Sequence, residues 1–194
     1  MNRRPLKSRA SGWAQKMAAW LAGTSVTPNQ ISIASMVFAA LAGGCFFLGG
    51  LWLLAAALFI QLRLLCNLLD GMVAVEGGKS APDGLFWNEA PDRLSDILII
   101  TGLGYGIDLP ALGWAAAALA IFTAYLRELG TTSGLATDFC GPMAKPQRMA
   151  LLTIAALVGV FAADVLPYAL WILLLGTVFT ILRRSFNIVH NLKN

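Results

Sequence analysis

Six long apolar segments, separated by short connections, restrict the fold of this chain more than any other feature. They run over residues 31–49, 51–73, 85–106, 110–127, 147–164 and 167–186. Most are close to the ~20 residues that an α-helix needs to cross a bilayer. Only 12% of the 194 residues are charged, about half the usual fraction in a soluble domain. We therefore predict an all-α integral membrane protein with six transmembrane helices, and exclude a soluble enzyme, a disordered chain and a nucleic-acid binder.

The first 26 residues differ from the rest because they are basic as well as amphipathic. Trp13, Met17 and Trp20 recur at helical spacing, which is typical of a helix lying in the membrane surface. The cations of this segment are Arg3, Arg4, Lys7, Arg9 and Lys16. A solvated basic tail is the alternative. The predicted organisation is an interfacial helix over 1–26, followed by a six-helix membrane domain over 27–194.

The basic residues lie on one side of the predicted topology. Three short connections, at 48–50, 108–110 and 164–167, contain no Lys or Arg, whereas the longer connections at 74–84 and 128–146 do. Cytoplasmic connections are the ones enriched in these residues. We expect both termini and both long loops in the cytoplasm, in a bacterial inner membrane. The net charge of +4 then reflects orientation and contact with anionic lipids.

Polar residues inside the second and third spans are candidates for function, because ionisable side chains are costly within a membrane. Asn67 and Asp70 lie three residues apart, and Asn88, Asp92 and Asp96 lie four apart, so each set shares one helical face. The two spans are consecutive and antiparallel, and these faces can meet near the cytoplasmic surface. Clustered carboxylate and amide oxygens suit a hard cation such as Mg²⁺ or Mn²⁺.

Residues 67–92 resemble the signature of the CDP-alcohol phosphatidyltransferase family, D-x2-D-G-x2-A-R-x8-G-x3-D-x3-D. All eight positions keep their spacing and five match in residue type. The eight positions are Asn67, Asp70, Gly71, Ala74, Val75, Gly84, Asn88 and Asp92. The entry to the first span at Thr27-Pro28-Asn29 and the basic segments at 127–128 and 145–148 look like further elements of the family.

The resemblance implies phospholipid synthesis at the cytoplasmic surface. A hydroxyl acceptor attacks the β-phosphate of a CDP-linked lipid such as CDP-diacylglycerol, CMP leaves, and one or two Mg²⁺ or Mn²⁺ ions assist. Asp92 would take the hydroxyl proton, and the enzyme would be a homodimer. The implied metal ligands are Asp70, Asn67, Asn88 and Asp92. The residues implied to border the nucleotide are Gly71, Ala74 and Gly84, whose small size lets it approach the backbone.

Three signature positions depart from the family. Asn67 and Asn88 replace aspartates, and Val75 replaces an arginine. The site loses two negative charges, so a second divalent ion should bind more weakly or not at all, and a phosphate contact is lost. Three interpretations stay open: an active enzyme with one metal or a different donor, a member without activity, and a small-solute transporter or scaffold that keeps the polar two-helix cavity.

Arg63 and Asp96 extend the polar faces by one turn each. Counted from the outer helix ends at a rise of about 1.5 Å per residue, they lie about 18 Å and about 15 Å deep. Each would be costly to bury alone, so we predict that they pair beneath the metal site. The rival interpretation is that Asp96 replaces a missing metal ligand.

Basic residues beside the longer loops are candidates for binding an anionic acceptor through its phosphate or carboxylate. They are Arg127, Lys145 and Arg148. The alternative is that they hold anionic lipid headgroups. Arg183 and Arg184, near the end of the last span, are expected to be interfacial anchors.

Overall fold

Seven α-helices make up most of residues 11–193, the part of the chain that this computed structural model describes. They are α1 (Gly12–Ala22), α2 (Pro28–Leu48), α3 (Trp52–Val75), α4 (Gly84–Gly106), α5 (Pro110–Thr132), α6 (Lys145–Gly159) and α7 (Val165–Lys193). No strand occurs among residues 11–193, in agreement with the all-α prediction. Four cations of the predicted interfacial helix, Arg3, Arg4, Lys7 and Arg9, lie outside the described residues.

Local sequence explains where α2 begins and ends. The Thr27 hydroxyl accepts a hydrogen bond from the Gln30 backbone N–H at 3.2 Å, and the Gln30 side chain accepts one from the Thr27 N–H at 3.0 Å. This reciprocal pair satisfies two N–H groups that the first turn leaves free. At the other end, Gly49 and Gly50 have φ angles of 66° and 56°. Glycine adopts this conformation without a Cβ clash, so the chain reverses into α3.

Four of the seven described helices, α2, α3, α5 and α7, are candidate membrane spans by length and composition. Within α4, residues 89–96 carry four charged side chains, Glu89, Asp92, Arg93 and Asp96. This is too much charge for α4 to count as a candidate span by composition. The predicted span at 147–164 is shorter than expected, because α6 has 15 residues and ends at Gly159. The finding is thus an all-helical chain with four candidate spans, and six spans remain a prediction.

The first described helix, α1, packs against the C-terminal part of α3. Ala14 and Ala18 are buried in a cluster that includes Met72 and Val73. Trp13 and Trp20 lie on the opposite side and are 53% and 69% exposed. A small-residue face toward the protein and an indole face away from it suit the predicted interfacial position.

Helix α2 separates α3 from α4 over most of their length. It packs against both, whereas α3 and α4 touch each other little. A Cβ at Gly102 of α4 would clash with the backbone of Gly43 of α2, so these two helices are in direct backbone contact, as small residues allow in membrane proteins. The polar faces of α3 and α4 therefore meet through long side chains.

Candidate active site

The two signature carboxylates face one region between α3 and α4. Asp70 is 4% exposed, and its carboxylate accepts hydrogen bonds from the Ser32 hydroxyl at 2.8 Å and from the Gly71 N–H at 2.5 Å. It also interacts electrostatically with Asp92 and with Lys145. Ser32 lies on α2, outside the signature. Helix α2 therefore orients the Asp70 carboxylate as well as separating the two helices that carry the signature.

A lysine from a third helix joins the two polar faces. Lys145, the first residue of α6, donates from its ammonium group to Asn67 Oδ1 at 2.6 Å and also to Asp92 Oδ2. Its side chain is only 25% exposed. The amide oxygen of α3 and the carboxylate oxygen of α4 thus converge on one positive group.

Arg63 and Asp96 lie deeper and form an ion-paired layer. Arg63 is fully buried, and its Nη2 lies 3.1 Å from Asp92 Oδ1 and 3.4 Å from Asp96 Oδ1. Arg148 of α6 approaches the other Asp96 oxygen at 2.6 Å. Both oxygens of Asp96 are therefore engaged by arginines, which favours a structural role for Asp96 over metal ligation.

Arg148 is nearly inaccessible, and both of its terminal nitrogens are hydrogen-bonded within the protein. It is 3% exposed, and besides Asp96 it donates to the Met143 carbonyl at 2.9 Å and to the Thr123 hydroxyl at 3.3 Å. This geometry favours a structural role over the acceptor-binding role that sequence suggested.

A second ion-pair network lies one helical turn before Asp92. Glu89 pairs with both Arg93 and Arg127, and Arg127 also contacts Glu128 at 2.7 Å. The Arg127 guanidinium lies 6.0 Å from the centre of the Phe139 ring. A surface cavity of about 460 Å³ borders this network on its Glu89, Arg93 and Glu128 side.

The remaining signature positions are more open. Gly71 is buried and Ala74 half-buried, whereas Val75 is exposed. A Cβ at Gly84 would meet nothing within 4 Å, so packing does not require glycine there. Asn88 is also exposed, and its amide donates to Glu89 at 3.0 Å rather than to the polar groups around Asp70.

Arg184 lies in the protein interior, and the predicted interfacial position is wrong. It was expected at the interface, but it is 4% exposed. Its guanidinium donates to the carbonyl oxygens of Thr123 at 2.7 Å and Cys140 at 3.0 Å. Through these two bonds it ties α7 to α5 and to the 133–144 loop. Arg183, next to it, is exposed.

The loop before α6 carries its own hydrogen-bonded group beside a cavity of about 280 Å³ that Arg127 and Arg184 also line. Asp138 accepts from the Cys140 N–H at 2.7 Å, the Cys140 thiol at 3.1 Å and the Asn187 amide at 3.1 Å. Burial acts to raise the pKa of Asp138, but these hydrogen bonds outweigh it and the pKa is lowered. Burial and the adjacent carboxylate raise the pKa of the Cys140 thiol.

The donor atoms around Asp70 and Asp92 fit a hard cation. The amide oxygen of Asn67 and a carboxylate oxygen of Asp92 already converge on the ammonium group of Lys145. Among residues 11–193, however, no group of three or more His, Cys, Asp or Glu residues is placed to hold a metal ion. Two carboxylates and an amide oxygen suit one divalent ion better than two.

The fold is shared with solved structures of a phospholipid synthase. Phosphatidylinositol phosphate synthase of Mycobacterium tuberculosis with CDP-DAG bound superimposes with a TM-score of 0.80 at 23% identity, over 92% of this chain and 94% of that one. The same synthase in complex with manganese and citrate gives a TM-score of 0.79 over 90% of this chain and 88% of that one, also at 23% identity.

Sequence relatives agree with the fold. The archaetidylinositol phosphate synthase of Aeropyrum pernix is 33% identical over 149 residues, 74% of either chain. The phosphatidylinositol phosphate synthase of Mycolicibacterium smegmatis is 28% identical over 171 residues, 82% of this chain and 76% of that one. An inner membrane protein of Escherichia coli is 29% identical over 160 residues, 78% of this chain and 74% of that one. No protein-family model matches the chain.

Apolar helices surrounding a buried carboxylate site define an integral membrane enzyme of lipid synthesis. The chain belongs to the CDP-alcohol phosphatidyltransferase family. It transfers a phosphatidyl group from a CDP-linked lipid to an alcohol, and the predicted enzyme class is thereby confirmed.

Proposed function

We propose that this chain transfers the phosphatidyl group of CDP-diacylglycerol, or a closely similar CDP-lipid, to a phosphorylated polyol and releases CMP. The observation that carries the proposal is that Lys145 joins Asn67 of α3 to Asp92 of α4 at signature spacing. Asp70, one turn from Asn67, interacts electrostatically with Asp92. CDP-DAG binding by the structural neighbour supports the choice of donor.

Asp92 is proposed as the general base. Arg63 and Lys145 hold its two oxygens from opposite ends, which keeps the carboxylate ionised and oriented, while each oxygen has a further lone pair for the acceptor hydroxyl. Asp92 then takes the proton as the acceptor oxygen attacks the β-phosphate.

Residues proposed to hold a divalent ion are Asp70, Asp92 and Asn67, together with Asn88 once its side chain turns away from Glu89. Mg²⁺ or Mn²⁺ bound there would neutralise the diphosphate and stabilise the leaving oxygen of CMP. A manganese complex of the structural neighbour supports the use of a divalent ion. Gly71, Ala74 and Gly84 are proposed to border the cytidine nucleotide, and the open space at Gly84 supports this placement.

The acceptor is proposed to be an inositol phosphate. One relative is a phosphatidylinositol phosphate synthase and another is an archaetidylinositol phosphate synthase. Of the three cations assigned to the acceptor from sequence, Arg127 has the most favourable geometry, because it lines the cavity of about 280 Å³ and contacts Glu89, one turn from Asp92. Lys145 and Arg148 are held by Asp92 and Asp96.

The finer membrane arrangement is also proposed. Helices α4 and α6 complete six spans with both termini and the site in the cytoplasm of a bacterial cell, and two chains form a homodimer. The packing of α4 against α2 and of α6 against α3 supports a membrane position for both, since α2 and α3 are candidate spans. Accessibility of single cysteines placed at 79 and 109 to a membrane-impermeant reagent tests the orientation, and cross-linking in vesicles tests the dimer.

CMP release by the purified protein in lipid nanodiscs tests the proposed reaction. We expect release with CDP-diacylglycerol, Mg²⁺ or Mn²⁺ and inositol phosphate, and much slower release with unphosphorylated inositol. Asp92→Asn should lower the rate by at least about 100-fold, whereas the exposed Asp164→Asn should leave it unchanged. No release with any donor, together with no stabilisation by divalent ions, would favour the transporter or scaffold.

A further inference from the structure

The charges of the polar cluster balance without any bound ion. Three carboxylates and three cations form ion pairs or, in the case of Asp70, interact electrostatically with the others, and they are Asp70, Asp92, Asp96, Arg63, Lys145 and Arg148. Burial of charge in a membrane protein is least costly when opposite charges pair. A divalent ion added alone would therefore leave this cluster with two excess positive charges.

Lys145 occupies an unfavourable position for a cation. It is the first residue of α6, where the helix dipole disfavours a positive charge, and Pro146 follows it in the first turn. Its ammonium group nevertheless reaches in between Asn67 and Asp92. An acceptor-binding lysine needs no contact with Asn67, so this contact points to a role in the cation site itself.

Asn67 suits this ammonium group because it is a neutral hydrogen-bond acceptor. Its amide oxygen accepts the hydrogen bond from Lys145 at 2.6 Å without adding a negative charge, and Asp92 supplies the one carboxylate that the ammonium balances. An aspartate at position 67 would add a negative charge and favour a second divalent ion at the same point.

We propose that the Lys145 ammonium is a built-in cation at the point between Asn67 and Asp92, so that the site takes a single divalent ion, which enters together with the diphosphate of the donor. The proposal rests on the proposed function. The negative charge of a CDP-type ligand offsets the incoming ion, so ion and nucleotide bind cooperatively.

Counting Mn²⁺ ions tests the proposal without relying on turnover. Mn²⁺ is titrated into the wild-type protein in detergent, with and without CDP, and bound ions are counted by electron paramagnetic resonance. We expect one Mn²⁺ per chain with CDP and at least tenfold weaker binding without it. Lys145→Gln combined with Asn67→Asp should bind two, while Lys145→Arg, which keeps the charge, should bind one. Lys193→Gln, at an exposed position, is the matched control.

Two Mn²⁺ ions per wild-type chain would overturn the proposal, as would a single ion in the folded double variant. A Lys145→Gln variant with only a raised KM for the acceptor, and with unchanged Mn²⁺ affinity, would also overturn it and assign Lys145 to acceptor binding. Thermal unfolding establishes that each variant is folded. If the Lys145→Gln variants do not fold, the number of Mn²⁺ ions bound per wild-type chain decides the proposal. Absence of both Mn²⁺ binding and CMP release would contradict the proposed function as well, whereas two ions in an active enzyme contradict this inference alone.

Discussion

Replacing Asp96 by asparagine tests whether the buried ion-paired layer is structural. Asp96 is 4% exposed and is shared by Arg148 at 2.6 Å and Arg63 at 3.4 Å. Two unit charges about 4 Å apart attract by about 4 kcal/mol at an effective dielectric constant of about 20. Removing one partner of a buried pair costs about 3–5 kcal/mol, because the other charge stays buried. We expect Asp96→Asn to lower the free energy of unfolding by about 3–5 kcal/mol.

Unfolding in mixed detergent micelles, followed by circular dichroism, measures this loss. A double-mutant cycle with Arg148→Met isolates the pair, and we expect a coupling free energy of at least about 1.5 kcal/mol. The exposed Asp164→Asn serves as control and should change stability by less than about 0.5 kcal/mol. A coupling below about 0.5 kcal/mol would refute the reasoning. Loss of bound Mn²⁺ in Asp96→Asn would instead support Asp96 as a metal ligand.

Three further predictions concern the glycines and the loop before α6. Gly84→Ala should leave stability unchanged or slightly raised, since alanine favours helix, but should raise the KM for the CDP-lipid severalfold; an unchanged KM would remove Gly84 from the nucleotide site. Gly102→Leu should cost at least about 2 kcal/mol by forcing α4 from α2, measured by the same unfolding assay against Gly44→Leu, where a Cβ meets nothing within 4 Å; equal losses would contradict the close contact. Cys140 should react slowly with maleimide at neutral pH because its pKa is raised, and Asp138→Asn should accelerate the reaction; equal rates would exclude the carboxylate as a cause.

Spacing along single helices was the most informative part of the sequence. Arg63 and Asp96 were predicted at similar depth from helical rise alone, and the structure places them 3.4 Å apart. That prediction used only the lengths of two consecutive antiparallel helices. It did not require any knowledge of how the later helices pack.

Contacts from distant helices could not be predicted in this way. Arg148 reaches Asp96 across 52 residues of sequence, and Ser32 reaches Asp70 across 38. Both contacts depend on where α6 and α2 pack, which no spacing within α3 or α4 encodes. Arg184 was misplaced for the same reason: a cation near a helix end is usually interfacial, and only the packing of α5 and the loop shows the carbonyls that it binds.

The equality of opposite charges around Asp92 has a consequence for how the protein responds to the electrical state of its membrane. Moving one elementary charge through a potential of 100 mV involves about 2.3 kcal/mol. A group of side chains whose charges sum to zero experiences no net force in a uniform field, only a torque on its dipole. Energised and de-energised cells should therefore present the same resting site to an incoming lipid. The main effect of voltage on the site should come from the charges that arrive with the substrates.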